Sequence, residues 1–158
     1  MFLLSKTEVS PRLRQIRALS LFSTLAPREL KVVDGLLHER SYLKDEIVFD
    51  EGEEGQALYI VMSGKVLICR QGQPVAGKIA ELGAGMLFGE LALLENAPRA
   101  AQARATENAA LAVFFRDDFL GLLETHAVIA SKISLQLARH IGRRLRETVG
   151  GGMGKPEL

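Results

Sequence analysis

Residues 88–101 read Phe88-Gly89-Glu90-Leu91-Ala92-Leu93-Leu94-Glu95-Asn96-Ala97-Pro98-Arg99-Ala100-Ala101. One segment holds a glycine turn, a carboxylate, a short apolar helix and an arginine. Phe88, Leu91, Ala92, Leu93 and Leu94 can anchor it to a core, which leaves Glu90 and Arg99 as the strong polar groups free to face something. An arginine presents a rigid fork of donors to a phosphate, and a carboxylate accepts hydrogen bonds from hydroxyls. One anion site beside one diol site describes a ribose that carries a phosphate. The plainer reading is a buried turn in which Glu90 and Arg99 pair with each other or with solvent. The full fourteen-residue string favours the ligand site.

The backbone of this segment suits the same chemistry. Gly89 can take a left-handed conformation without a Cβ penalty. The run from Leu91 to Leu94 is short and helix-prone, so its unpaired N–H groups would point toward the turn, where a phosphate is attracted. Pro98 removes one donor and stiffens the approach to Arg99.

Upstream, short apolar runs alternate with glycines and charged turns. Ile47-Val48-Phe49, Leu58-Tyr59-Ile60-Val61 and Val66-Leu67-Ile68 read as strands, as do Gln102 to Ala105 and Leu111 to Phe115, with a turn at Thr106-Glu107-Asn108. That punctuation describes an antiparallel β-domain, a sandwich or a barrel. Residues 12–36 read as mostly helical, with Pro27 in a first turn and Thr24 or a neighbour as cap. Asp117 and Asp118 suit a helix N-terminus. A longer helix is expected from about Ala127 to Thr148, stopped by Gly150, Gly151 and Gly152.

The string 88–101 resembles the phosphate-binding cassette of cyclic nucleotide-binding domains, the family of catabolite activator proteins, protein kinase A regulatory subunits and cyclic nucleotide-gated channels. Val48-Phe49-Asp50-Glu51-Gly52-Glu53-Glu54-Gly55 and Leu58-Tyr59-Ile60-Val61-Met62-Ser63-Gly64-Lys65-Val66 resemble its early strands and glycine turns, and Leu21-Phe22-Ser23-Thr24-Leu25 its entry segment. The resemblance implies an α+β fold. Its centre is an antiparallel β-barrel, a jelly-roll-like double-stranded β-helix, flanked by N-terminal helices and a long C-terminal helix. It also implies an N-terminal helical extension over 1–19, the binding domain over 20–149 and a tail over 150–158.

By the same resemblance Arg99 clamps the cyclic phosphate, with backbone N–H groups near Ala92 and Ala100 completing the anion site. Glu90 takes the ribose 2′-hydroxyl, and Gly89 lets the sugar approach. Leu91 and Ala101 border the base. Ala101 lacks the hydroxyl that a threonine would offer guanine, which implies cAMP over cGMP as ligand. The purine lid is expected from the last helix, with His140, Arg143, Arg144 and Leu145 as candidates; a rough register favours Arg144. A cyclic phosphodiester carries one negative charge, so an arginine and a helix terminus can balance it, and neither a metal nor another cofactor is expected.

Composition narrows the alternatives. Apolar residues make up 47 % of the 158, enough for a real core. Lys+Arg total 20 against 19 Asp+Glu, so net charge argues neither for nor against a polyanionic partner. Asp45, Glu46, Asp50, Glu51, Glu53 and Glu54 form an acidic stretch, and Arg139, Arg143, Arg144 and Arg146 a basic helix end. Both read first as solvated faces. Cys69 is the single cysteine, so an internal disulfide or a cysteine metal cluster is excluded, and haem or iron–sulfur sensing is disfavoured. His38, His126 and His140 have no metal-ligand spacing, which argues against a metal-dependent phosphodiesterase and for a non-enzyme. No apolar run reaches membrane-spanning length, so a cytoplasmic setting without membrane contact is expected.

On the long helix Ile129, Ile133, Leu137 and Ile141 form one stripe. Val128, Ser131, Leu135, Ala138, Gly142, Leu145 and Val149 follow a seven-residue rhythm. Two readings stay open: one wide stripe on the domain itself, or a second face for a homodimer. About ten residues follow Thr148, too few for a helix-turn-helix module, so no nucleic-acid partner is expected. The chain reads as a regulatory receptor for an unspecified effector. The alternative is the N-terminal sensor part of a cAMP-dependent transcription regulator lacking its DNA-binding module, or a domain excised from a channel or kinase.

Overall fold

The computed structural model describes residues 10–151. Parts of the expected extension and tail, residues 1–9 and 152–158, lie outside them. Eight strands form two four-stranded antiparallel sheets. They are β1 (His38–Tyr42), β2 (Ile47–Phe49), β3 (Ala57–Ser63), β4 (Val66–Arg70), β5 (Gln73–Leu82), β6 (Leu87–Phe88), β7 (Gln102–Ala105) and β8 (Ala109–Phe115). The first sheet runs β1-β8-β3-β6, and the second β2-β7-β4-β5.

β3 explains the layering. Its run Ala57 to Met62 is buried throughout, because the first sheet is covered on both faces. Side chains alternate along a strand. Tyr59 and Val61 therefore meet Phe49, Val66, Ala103 and Ala105 of the second sheet. Leu58, Ile60 and Met62 turn the other way, onto Leu21, Phe22, Leu30, Ile133 and Leu137 of the helical layer. Gly64 (φ +80°) makes the turn into β4, where a Cβ would meet Asn108 O at 2.3 Å.

The expected antiparallel β-domain is present, but the barrel within it is cut back by this topology to two open sheets. β1 and β6 end one sheet, β2 and β5 the other, and among the described residues no ladder joins the two sheets. β1 and β5 are exposed along most of their length and present polar or solvated edges rather than a seam that could close.

The helices are α1 (Pro11–Arg17), α2 (Pro27–Asp34), α3 (Leu91–Leu94), α4 (Arg116–Thr125) and α5 (Ala127–Gly151), with a short 3-10 turn at Ser20–Phe22. Pro11 and Pro27 each open a helix. The cap of α2 is not Thr24. Ala26 precedes it, and the Ala26 N–H donates to Glu29 Oε1 at 2.7 Å. Asp117 and Asp118 do sit in the first turn of α4. α5 runs beyond the expected stop, through Gly150 and Gly151. Ile129, Ile133 and Leu137 are buried against the domain, with Ile141 packed beside them. Val128, Leu135, Leu145 and Val149 stay exposed. Lys132 Nζ donates to Glu29 Oε1 at 2.7 Å and ties α5 to α2.

Candidate functional site

The cassette is held at both ends by backbone. β6 enters it on the Tyr59 and Ile60 side of β3, and Gly89 (φ +72°) turns the chain sharply into α3. The returning arm zips onto the turn at 52–55. Arg99 N donates to Glu53 O at 2.7 Å, Gly52 N to Arg99 O at 2.8 Å and Gly55 N to Ala97 O at 3.1 Å. β7 then begins at Gln102, which is buried. Its Nε2 donates to Asp50 Oδ1 at 2.7 Å, and its Oε1 lies 3.6 Å from Cys69 Sγ.

This zipper carries Arg99 inward. The side chain is only 8 % exposed. Nη2 donates to Ala57 O at 2.8 Å and Nη1 to Gly89 O at 3.4 Å. The guanidinium carbon lies 4.1 Å from the Phe49 ring centroid and 5.5 Å from that of Tyr59, a cation–π arrangement on an aromatic wall. Among the described residues no carboxylate lies within ion-pair distance of Arg99. Burial pulls its pKa below the usual value, and the nearby Arg116 acts in the same sense. A buried cation without a paired anion is costly.

Glu90 is 7 % exposed and faces α5. Its Oε1 accepts from Arg144 Nη1, and His140 Nε2 lies 3.5 Å from the same oxygen. That histidine nitrogen is buried and, among the described residues, has no hydrogen-bond partner. Burial alone would raise the Glu90 pKa. His140 and Arg144 outweigh it and hold the carboxyl below the usual range.

The structure thus brings Gly89, Glu90, Ala92 and Arg99 to one place. Ala92 is buried, and its N–H donates to Gly89 O at 3.2 Å. Ala100 is exposed, and among the described residues its N–H has no acceptor. Leu91 is 56 % exposed and Ala101 half-buried. Arg144, the residue expected at a base, donates to Glu90.

The residues that sequence reading missed are Gly55, Phe49, Tyr59 and Arg116. A Cβ on Gly55 would stand 2.9 Å from Ala92 Cβ and 3.1 Å from Arg99 Cζ, so the position admits only a glycine-sized group. The signal available was Gly55 itself, in an acidic turn two residues before an apolar strand. Arg116, at the β8–α4 junction, left none. Among the described residues no group of three His, Cys, Asp or Glu side chains could hold a metal ion. No described helix is long and apolar enough to cross a membrane.

Comparison with known proteins places this geometry. The cyclic AMP receptor protein of Thermus thermophilus is 40 % identical over 130 residues, covering 80 % of this chain and 57 % of that protein. The crystal structure of the Thermus thermophilus catabolite activator protein superposes with a TM-score of 0.71 at 38 % identity, over 82 % of this chain and 59 % of the other. The regulatory domain of Toxoplasma gondii PKA, solved with cAMP, gives a TM-score of 0.61 at 33 % identity, over 69 % and 42 %. The chain therefore spans a little over half of the first of these relatives and less of the last. Residues 39–126 match the cyclic nucleotide-binding domain, a stretch that contains both sheets almost whole together with Glu90 and Arg99, and the chain belongs to that family.

Proposed function

We propose that the chain is a non-catalytic cyclic nucleotide receptor domain that prefers cAMP. One observation carries the reading: Arg99 is a buried guanidinium that donates to backbone carbonyls and lies over aromatic faces, and among the described residues no carboxylate comes within ion-pair distance of it. Such a group is completed by an anionic ligand, and a cyclic phosphate fits its single charge. The free Ala100 N–H adds a second donor on the same arm. Glu90, at the start of α3, offers its carboxylate to a ribose hydroxyl in competition with Arg144. Neither Ala100 nor Ala101 carries a hydroxyl for guanine, which supports adenine, as do the cAMP-named relatives. A purine lying toward α5 would draw Arg144 away from Glu90.

In this reading the signal is movement of α3 and α5, and the domain works in the cytoplasm on an effector protein. The exposed α5 face of Val128, Leu135, Leu145 and Val149 pairs with a second copy.

Calorimetric titration with cAMP and cGMP in excess chelator tests the reading. Metal-independent binding with cAMP tighter is expected. Equal or tighter cGMP binding overturns the base assignment, and no binding of either overturns the receptor.

A further inference from the structure

Arg116 is the first residue of α4, and a single nitrogen of its guanidinium gathers three backbone carbonyls. Nη1 lies 2.8 Å from Gly55 O, 3.0 Å from Ala92 O and 3.2 Å from Glu95 O. The first belongs to the turn before β3, and the other two to the end of α3. The Arg116 N–H also donates to Gln56 O at 2.8 Å. Side chain and backbone of one residue therefore fasten two segments that are far apart in sequence.

Those two segments are the walls around Arg99. Gly55 and Ala92 lie so close that a Cβ on Gly55 would touch both Ala92 Cβ and the Arg99 guanidinium. Carbonyls at the end of so short a helix have no helical donors of their own, so an outside donor must satisfy them. A charged donor does so more strongly than a neutral one. We propose that Arg116 is a positioning residue for the phosphate site: it touches no ligand, but clamps α3 to the 52–57 turn and so fixes where Arg99 points. The clamp also makes α4, on which α5 packs, move with α3. This inference rests on the reading of Arg99 as the phosphate-binding residue.

The competing idea is that Arg116 merely caps α3 and stabilises the domain as a whole. Arg116→Met and Arg116→Lys separate the two. Amide hydrogen exchange is measured on the ligand-free proteins, and cAMP affinity by calorimetry. In Arg116→Met, exchange should rise about tenfold in residues 52–57 and 89–100 while β8 and α5 stay as in the wild type. Affinity for cAMP should fall about tenfold, the scale of one lost charge-assisted hydrogen bond. Arg116→Lys, whose ammonium carries three donors, should recover part of both effects. If Arg116→Met does not fold, Arg116→Lys and Arg116→Gln carry the comparison, with Lys expected closer to wild type in both readouts. Exchange that rises evenly over the domain, or affinity that stays unchanged while the two segments loosen, overturns the proposal. If the wild type itself does not bind cAMP, the receptor reading falls. Loosening confined to the two segments would then still uphold the clamp on Arg99, and even loosening would overturn it.

Discussion

Gly89 and Arg99 pack so tightly that a Cβ at position 89 would stand 2.5 Å from Arg99 Nη1. Gly89 also holds φ +72°, a conformation that L side chains rarely adopt. Two independent constraints therefore meet at one residue, one local to the backbone and one set by the arginine. Gly89→Ala should cost roughly 1–3 kcal/mol from backbone strain and push the guanidinium off the Gly89 carbonyl. A lower melting temperature together with weaker cAMP binding is expected. Unchanged binding in a destabilised variant would show that the ligand does not use Arg99 from this position.

Arg99→Lys should lose about 2–5 kcal/mol of cAMP binding, since an ammonium cannot reproduce the planar fork. The structure adds a second expectation. Arg99 also holds the Ala57 carbonyl and covers the Phe49 ring, so the fold loses stability along with the site. An uncompensated buried charge is costly, and lysine keeps the charge while giving up those contacts. Without ligand, Arg99→Met should therefore melt at or above Arg99→Lys, although neither binds well. Arg99→Lys melting clearly above Arg99→Met would show that the buried charge is already balanced within the protein.

Glu90 is expected to set an acid limit on the domain. Its carboxyl is held below the usual range by His140 and Arg144 against the opposing effect of burial. A depressed carboxyl pKa contributes stability that is complete above the unfolded-state value and is lost as pH falls through the folded one. The window therefore opens below the ordinary carboxylate value of 4.5. Urea unfolding of wild type and Glu90→Gln from neutral to acid pH should show the wild type losing its advantage only in that acid window. A difference that is constant with pH would mean that Glu90 acts through packing and not through its charge.

The cassette was legible in the sequence because its chemistry is local. Gly89, Glu90, Ala92 and Arg99 lie within eleven residues, and the short helix between them forms where the apolar run predicted it. The strands found by pattern include those that bury side chains, β3, β4, β7 and β8. Missed were β1, β5 and β6, and each is an edge strand. β1 reads His38-Glu39-Arg40-Ser41-Tyr42 and needs only one neighbour, so it carries no apolar alternation. β6 is two residues long. The barrel reduces to two open sheets for the same reason, because closure is a property of edges that local patterning does not encode. Arg116 was invisible because its partners are backbone carbonyls, which any sequence supplies. The contact of Arg144 with Glu90 spans 54 positions and depends on how α5 lies, so no local pattern announces it.

That contact carries the last expectation. Arg144 and His140 both reach Glu90 from α5, so the helix is tied to the residue proposed to read the ribose. A nucleotide shifts the helix only if it contacts the two arrangements differently. Glu90 supplies that difference, because a ribose hydroxyl and the Arg144 guanidinium compete for one carboxylate. Hydrogen exchange on cAMP addition should therefore change in residues 127–148 as well as in 88–101. Arg144→Ala should keep the change in the cassette and lose most of it in the helix, while still binding cAMP. The Glu90 contact to ribose is checked in the same experiment with 2′-deoxy-cAMP, which should protect the cassette through its phosphate yet leave α5 near its ligand-free exchange. A full α5 response in Arg144→Ala would mean that the helix senses the ligand by packing on α4 and not through Glu90.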